Sequence, residues 1–379
     1  MAGLYIHIPF CKQACSYCDF YFLTRQQLRE PFVEALVREI HSYTDTPFSS
    51  EPISSVYLGG GTPSLLNEKQ LTGIFTALDS VFDLQPLEIT MELNPDDVTA
   101  DYLNMIRGIG INRASMGVQS FDEDILNFMH RAHNRNEALK ALELLQKTDF
   151  PAFTADLIYG NPGQDLEMLK ADIEQLLVFD PPHISAYSLT VEPNTRLGRQ
   201  VELGRINPPD DEEVAAHFEL VQESLHRAGI VQYEVSNFSK PGKEALHNSN
   251  YWTHQNYLGL GPSAHSFWWS SNEAKRWKNR SDIRHYLEKP AQESIDEVEQ
   301  LNLTTLAEER IMLGLRTVKG ISVKNLREKY QYSLSRKQQN WIENQVEKRM
   351  LVFEEERLAL TPEGLRISDM LVVDLLNRG

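Results

Sequence analysis

Cysteine is scarce: the 379-residue chain has only three, and all lie between positions 11 and 18. An odd, crowded trio cannot form a disulfide framework, so these thiols serve another purpose. Long apolar runs are also missing. None approaches the roughly 20 residues that a bilayer span needs, and the first residues lack the basic-then-apolar layout of a secretory signal. Basic charge is in deficit, with 37 Lys and Arg against 54 Asp and Glu and a formal net charge of −17. That balance argues against a broad electrostatic grip on nucleic acid or anionic membrane, while leaving room for a local basic pocket. No low-complexity tract interrupts a composition that is 41% hydrophobic and 24% charged, as in ordinary globular proteins. The expectation is a cytoplasmic chain, where thiols stay reduced. It is long enough for one barrel-sized domain with an addition, or for two domains.

What is present is a rhythm. Over the first 190 or so residues, short β-rich apolar runs alternate with polar or glycine-rich loops and segments of helical period. The runs are Leu4 to Ile8, Ser55 to Leu58, Glu88 to Leu93, Ala114 to Val118, Phe153 to Ile158 and His183 to Leu189. Helical period appears over Pro31 to Tyr43, Glu68 to Val81, Arg135 to Gln146 and Asp165 to Phe179, with Asn67 as a candidate cap. Such alternation implies parallel strands joined by right-handed crossovers, either doubly wound or as an open (β/α)6 barrel. Three regions follow: a barrel over 1–210, an aromatic, loop-rich stretch within 211–300, and a C-terminal α+β module over 301–379. The last carries a two-strand wing near Leu351 to Phe353 and Arg357 to Leu360. A winged-helix shape raises DNA binding, but the acidic chain lacks a basic recognition helix, so no nucleic-acid partner is expected.

Residues at the C-terminal ends of barrel strands converge on one face, where chemistry is done. Cys11, Cys15 and Cys18 follow the first run as C-x3-C-x2-C, and Gly59-Gly60-Gly61-Thr62-Pro63 follows the second. Glu92 closes the third, Gln119 and Ser120 the fourth, Asp156 lies within the fifth, and Thr190 and Glu192 follow the sixth. Three thiolates suit a [4Fe–4S] cluster with one iron left open, because a cubane usually takes four. The alternatives are a zinc site completed by His7 or Asp19, or three inert buried thiols. Glycines let a backbone approach a ligand closely and present N–H groups to an anionic end, or they simply make a tight turn. Glu92, Gln119 and Asp156 are candidate ligand contacts or satisfied core polar groups.

The run Tyr5-Ile6-His7-Ile8-Pro9-Phe10-Cys11, with Cys15, Tyr17 and Cys18, resembles the start of the coproporphyrinogen-oxidase branch of radical S-adenosylmethionine (SAM) proteins. GGGTPS, ELNP, MGVQSF and DLIYGNPGQ follow in the same order. The resemblance implies an open partial (β/α)6, TIM-like barrel with a winged-helix-like C-terminal module. It implies a cluster on Cys11, Cys15 and Cys18, with SAM on the unique iron; catalytic members cleave SAM to a 5′-deoxyadenosyl radical. By motif, Gly60, Gly61 and Thr62 would line the methionine end of SAM, and Glu92, Gln119, Arg131 and Asp156 would complete its pocket. Tyr5 would lie near cluster and SAM, and Tyr17 beside the adenine.

Two departures separate this chain from the oxidases of that branch. Those enzymes carry a further cysteine two positions after the third, where this chain has Phe20. They also have an extension before the first strand that helps form the substrate site, which this sequence lacks. Instead, His247-Asn248-Ser249-Asn250-Tyr251-Trp252 fits the H-N-x-x-Y-W pattern of the related haem chaperones of the HemW type. The resemblance then implies haem bound near His247, Asn248, Tyr251 and Trp252 and passed to acceptor proteins, such as respiratory haem enzymes at a membrane. His254 and His265 are neighbouring candidates for the iron ligand, because imidazole commonly ligates haem iron and aromatics pack on the macrocycle. Without the resemblance, structural hydrogen bonds by His247 and Asn248 and a core Trp252 explain the same residues. A homodimer that shields the cluster face fits such a protein.

Overall fold

The computed structural model describes residues 1–271, 273–289 and 291–379. Six strands, β1 Ala2–Ile8, β2 Ile53–Gly60, β3 Leu84–Leu93, β4 Arg113–Gln119, β5 Ala152–Tyr159 and β6 His183–Ser188, pair in chain order and in parallel. Helices α1 Arg29–His41, α2 Glu68–Val81, α3 Ala100–Ile109, α4 Glu123–Phe128, α5 Arg135–Lys147 and α6 Leu166–Leu177 alternate with them. Of the two arrangements that the rhythm allowed, this is the open six-unit barrel. Asn67 caps α2 through a reciprocal box with Gln70, which satisfies backbone N–H groups that the first turn leaves free. Phe32, Leu36 and Ile40 stand four residues apart on α1 and are fully buried, the stripe expected of a helix packed on a sheet.

The stretch from Tyr233 to Trp277 is loop-rich, as expected, but it also carries short strands that the sequence did not show. After α7 Arg196–Glu202 and α8 Asp211–Arg227, it contributes β8 Asn237–Ser239, α9 Leu246–Tyr251, β9 Tyr257–Leu260, β10 His265–Trp269 and most of β11 Ala274–Asn279. With β7 Val231–Gln232 and β12 Ile295–Leu301 they extend the barrel sheet at both edges, giving one twelve-stranded order, β12-β11-β10-β9-β1-β2-β3-β4-β5-β6-β8-β7. Most of these strands have six residues or fewer, too short for a clear period of two. Helix α10 Ile283–Glu288 joins β11 to β12.

The C-terminal residues form helices α11 Leu303–Leu315, α12 Val323–Tyr330 and α13 Arg336–Glu347, a sheet of β13 Ile321–Ser322, β14 Leu351–Glu354 and β15 Arg357–Leu360, then α14 Pro362–Leu365 and α15 Ser368–Leu376. The wing lies where the sequence put it. Alternation along the edge strands joins this module to the barrel. Phe267, Ala274 and Leu301 pack with Leu306, Ile311 and Leu358 of the module, whereas Leu258, Trp268 and Trp277 pack into the main core. The module therefore covers one face of the edge strands, and α1 covers the other. Among the described residues no helix is long and apolar enough to cross a membrane.

One buried carboxylate ties this edge to the barrel. Glu39 of α1 accepts hydrogen bonds from the Gly261 N–H (2.7 Å), the Asn279 side chain (3.0 Å) and the Tyr286 hydroxyl (2.7 Å). It is 2% exposed, and burial pushes its carboxyl up to about 7. Glu39→Ala strands three donors away from water and is expected to cost roughly 2–4 kcal/mol, read as a lower thermal unfolding midpoint. An unchanged midpoint contradicts this account of the edge.

Candidate functional site

The cysteine loop leaves β1 and is anchored from several sides. The Cys11 N–H donates to the Leu23 carbonyl (2.9 Å), and Gln26 donates to the Cys11 carbonyl (2.8 Å). Ser16 is held by the Met129 carbonyl through its N–H (2.9 Å) and by the Phe128 carbonyl through its hydroxyl (3.0 Å). Lys12 pairs with Asp96 (2.8 Å) and Asp97, just after β3. The three thiols thus face a cavity of ≈ 520 Å³ in the barrel lumen. Of the cluster and SAM candidates, only Tyr5 fails to line it. Tyr5 stands behind, stacked on Tyr57 with centroids 6.1 Å apart and bonded to His7 Nδ1 (3.1 Å).

The glycine loop also borders the cavity through Gly60, Gly61 and Thr62. Its N–H groups are already used: Gly60 donates to Glu92 (3.1 Å), Gly61 to the Ile8 carbonyl (2.9 Å) and Thr62 to the Phe10 carbonyl (2.7 Å). They are not free to cradle an anion. What the glycines supply is closeness. A Cβ on Gly61 would sit 2.6 Å from the Ile8 carbonyl oxygen, and Gly60, at φ 102°, would place one 2.4 Å from the His7 ring. Burial raises the Cys11 thiol, and nearby Thr62 works against that rise. The loop is therefore a clamp on the start of the cysteine segment.

Along the lumen the inward residues are polar where many parallel barrels carry layers of Val, Ile and Leu. Tyr57, Thr90, Glu92, Arg113, Ser115, Thr154, Asp156 and Ser185 all line the cavity. Glu92 accepts from the Tyr57 hydroxyl (2.8 Å), and Asp156 from Ser115 (3.1 Å). Burial pushes the Glu92 carboxyl up to about 7 and that of Asp156 to about 6. Arg131 reaches Cys15 Sγ (3.4 Å), Asn94 (2.6 Å) and the Gly117 carbonyl (3.0 Å). Its Nε and the Gln119 Oε1 are buried without partners. Gln119 itself holds φ 66° where the β4–β5 register shifts, a strained conformation of the kind that gathers at functional sites.

Sequence reasoning did not single out Tyr57, Asn94, Ser115 and Ser185. Three of them are inward positions on neighbouring strands, with Ser115 paired to Glu92 and Ser185 to Asp156, a register that the sequence does not give. Asn94 sits inside the quoted ELNP run.

Of the second candidate group, His247, Asn248, Tyr251 and Trp252, only Asn248 lines the cavity. His247 is 1% exposed. Its Nδ1 meets Ser55 Oγ (2.9 Å), its Nε2 meets the Tyr251 hydroxyl (2.8 Å), and its N–H donates to Glu88 (2.9 Å). Both ring nitrogens of His247 are thus engaged by side-chain hydroxyls, and the ring lies outside the cavity. Trp252 offers its carbonyl to Arg310 (3.0 Å), a tie to the C-terminal module. His254 is buried against Phe267 and bonded to Tyr330 (3.2 Å), whereas His265 is exposed.

The residues at the mouth fit an iron–sulfur cluster better than zinc. His7 cannot complete a zinc site, because Nε2 meets the Tyr21 carbonyl (2.8 Å) and Nδ1 meets Tyr5. Nor are the thiols inert packing, since all three border an open cavity. Burial pushes Cys11 up to about 11 and Cys18 to about 12, so binding iron would release their protons. Partnerless Arg131 Nε and Gln119 Oε1 beside them are ready for a polar ligand carrying carboxylate and amino or hydroxyl groups. Gly61→Ala forces the clamp apart at a cost of roughly 1–3 kcal/mol. Anaerobic reconstitution of that variant is expected to yield less iron and sulfide per chain than wild type; equal loading contradicts the clamp.

Comparison with known proteins places this geometry. Residues 5–176 match the model of the radical SAM superfamily, and residues 301–367 that of the HemN C-terminal domain. Heme chaperone HemW of Lactococcus lactis is 34% identical over 96% of this chain and 94% of its own length. Heme chaperone HemW of Bacillus subtilis is 35% identical, covering 96% of each chain. Coproporphyrinogen III oxidase (HemN) of Escherichia coli, a radical SAM enzyme, superposes with a TM-score of 0.84 over 99% of this chain and 89% of its own. At 19% identity that likeness concerns the fold alone. The polar barrel with three thiols at its mouth and the full-length identity lead to one conclusion: the chain belongs to the HemW family of radical SAM proteins.

Proposed function

We propose that this protein is a haem chaperone: it binds haem and delivers it to acceptor proteins, with a SAM-completed [4Fe–4S] cluster at the mouth of its barrel. The observation that carries the reading is the near full-length identity to proteins named as haem chaperones. Phe20 supports it, because it stands 63% exposed on the cavity rim where the oxidases of this fold have another cysteine.

In this reading Cys11, Cys15 and Cys18 ligate three irons. Arg131, Gln119 and Asn94 meet the polar end of SAM, Tyr17 borders its base, and Glu92 and Asp156 face its cationic and hydroxyl groups. A bound cluster supplies an open iron that SAM can chelate and an electron when reduced. The chain's own residues do the rest. Tyr57 and Ser115 fix the two carboxyls, the clamp fixes the loop, and Arg131 offsets thiolate charge at Cys15. Acceptors at a membrane, respiratory haem enzymes among them, and a homodimer closing over the cluster face are consistent partners for such a carrier.

Two outcomes test the reading. Reconstituted protein is expected to bind hemin tightly and to leave coproporphyrinogen III undecarboxylated; robust decarboxylation sinks the chaperone assignment. SAM carries a net positive charge, which favours the ionised form of both carboxyls. Their positions near 7 for Glu92 and 6 for Asp156 mean that SAM affinity rises as pH climbs through that range and falls below it. Glu92→Gln should flatten the upper part of the rise in calorimetric titrations. A wild-type affinity indifferent to pH contradicts these roles.

A further inference from the structure

The lumen has a second end. From the cysteine loop the cavity runs down the strands to Arg113 and His183, the first residues of β4 and β6, and to Ala245 and Asn248. Gln119 closes β4 at the mouth, so roughly 20 Å of strand separates it from Arg113. Thr90 is the register partner of Arg113 on β3 and lines the same end. Glu92 and Ser115 sit one inward position nearer the mouth, about 7 Å along their strands.

Behind this floor the polar groups are engaged. Arg113 donates to the Lys243 carbonyl (3.0 Å) and faces Glu88 (3.6 Å), and Glu88 also accepts the N–H groups of Leu246 and His247 (2.9 Å each). The Tyr233 hydroxyl accepts from the Ala245 N–H (3.3 Å) and meets His183 Nε2 (2.8 Å). On the cavity side they are not. His183 Nδ1 and Thr90 Oγ1 are buried without partners, in residues 1% and 2% exposed.

The direction of these bonds sets the chemistry. Burial, then Arg113, holds the His183 imidazole well below its ordinary range, in its neutral form. Tyr233 has one hydroxyl proton, and among the described residues His183 Nε2 is the acceptor it meets. The ring's own proton therefore sits on Nδ1. An imidazole N–H, a hydroxyl and a guanidinium thus gather at one end of the cavity, while Glu88 stands outside it. One layer up, Glu92 and Asp156 are turned to donors of their own, Tyr57 and Ser115. A set of donors calls for an acceptor, and an ionised carboxylate is acceptor only.

We propose that the floor of the lumen is a second ligand site, which takes the carboxylate of a small molecule on Thr90, His183 Nδ1 and Arg113, apart from the polar groups at Arg131 and Gln119. The barrel alone builds this site, whatever fills the mouth.

Calorimetric titrations of the reconstituted chain with acetate, pyruvate and succinate, each beside its primary amide, test it. At least one of these carboxylates is expected to bind, with its amide about tenfold weaker or more. Thr90→Val removes a hydroxyl that has no partner within the protein. Its unfolding midpoint should not fall, while carboxylate affinity drops about threefold to tenfold. Saturating SAM should change the wild-type affinity by no more than about twofold, because separated sites without shared partners are nearly independent. Carboxylates that bind only without SAM belong at Arg131 and overturn the proposal. So does wild-type affinity in Thr90→Val, an amide as tight as its acid, or no binding by any of the three. A wild type that binds no SAM defeats the SAM reading instead, and the Thr90→Val comparison still decides the floor.

Discussion

The end of β1 and the end of β2 meet more closely than side chains allow. The Gly61 and Thr62 N–H groups donate to the carbonyls of Ile8 and Phe10, and this contact fixes where the cysteine loop departs. Everything at the mouth depends on that departure. Phe10, just before Cys11, is held by Thr62, Ser16 by the turn after α4, and Lys12 by the acidic pair after β3. Loops on three neighbouring units thus hold a segment that would otherwise wander. Three thiols can share one inorganic group only if their loop is brought to one place, and these backbone contacts fix where that loop departs.

Beneath the mouth the barrel spends its interior on polarity. Buried carboxyls at Glu92 and Asp156 sit above their ordinary range because water has been removed from them. Such groups cost stability in an empty barrel and favour a cationic ligand that lets them ionise. Partnerless atoms on Arg131 and Gln119, and the strained backbone at Gln119, point the same way. This lumen is shaped by binding, with its stability supplied by the apolar outer layers and the Glu39 anchor.

Much of this was legible in the sequence because it repeats. Each βα unit announces itself by a change of period, and residues at strand ends must converge once the units are parallel. The cysteine trio, Glu92, Gln119 and Asp156 follow from that logic. The glycine loop was placed at the cavity, but spacing cannot reveal whether an N–H is already taken by a neighbouring strand. The surroundings of His247 were hidden for a similar reason. A histidine beside Tyr251 and Trp252 suits a porphyrin on composition, yet its nitrogens are consumed by Ser55 and Tyr251, one of them nearly two hundred positions away in sequence. The edge strands escaped notice because they are short, and the module that buries one of their faces lies later in the chain.

The central claim is that three thiolates leave one iron open to SAM in a polar barrel. Mössbauer spectroscopy of the iron-57-reconstituted chain, with and without SAM, tests it most directly. The account predicts that adding SAM moves the signal of one iron in four to higher coordination and leaves the other three in place. A spectrum unchanged by SAM at saturating concentration would contradict it.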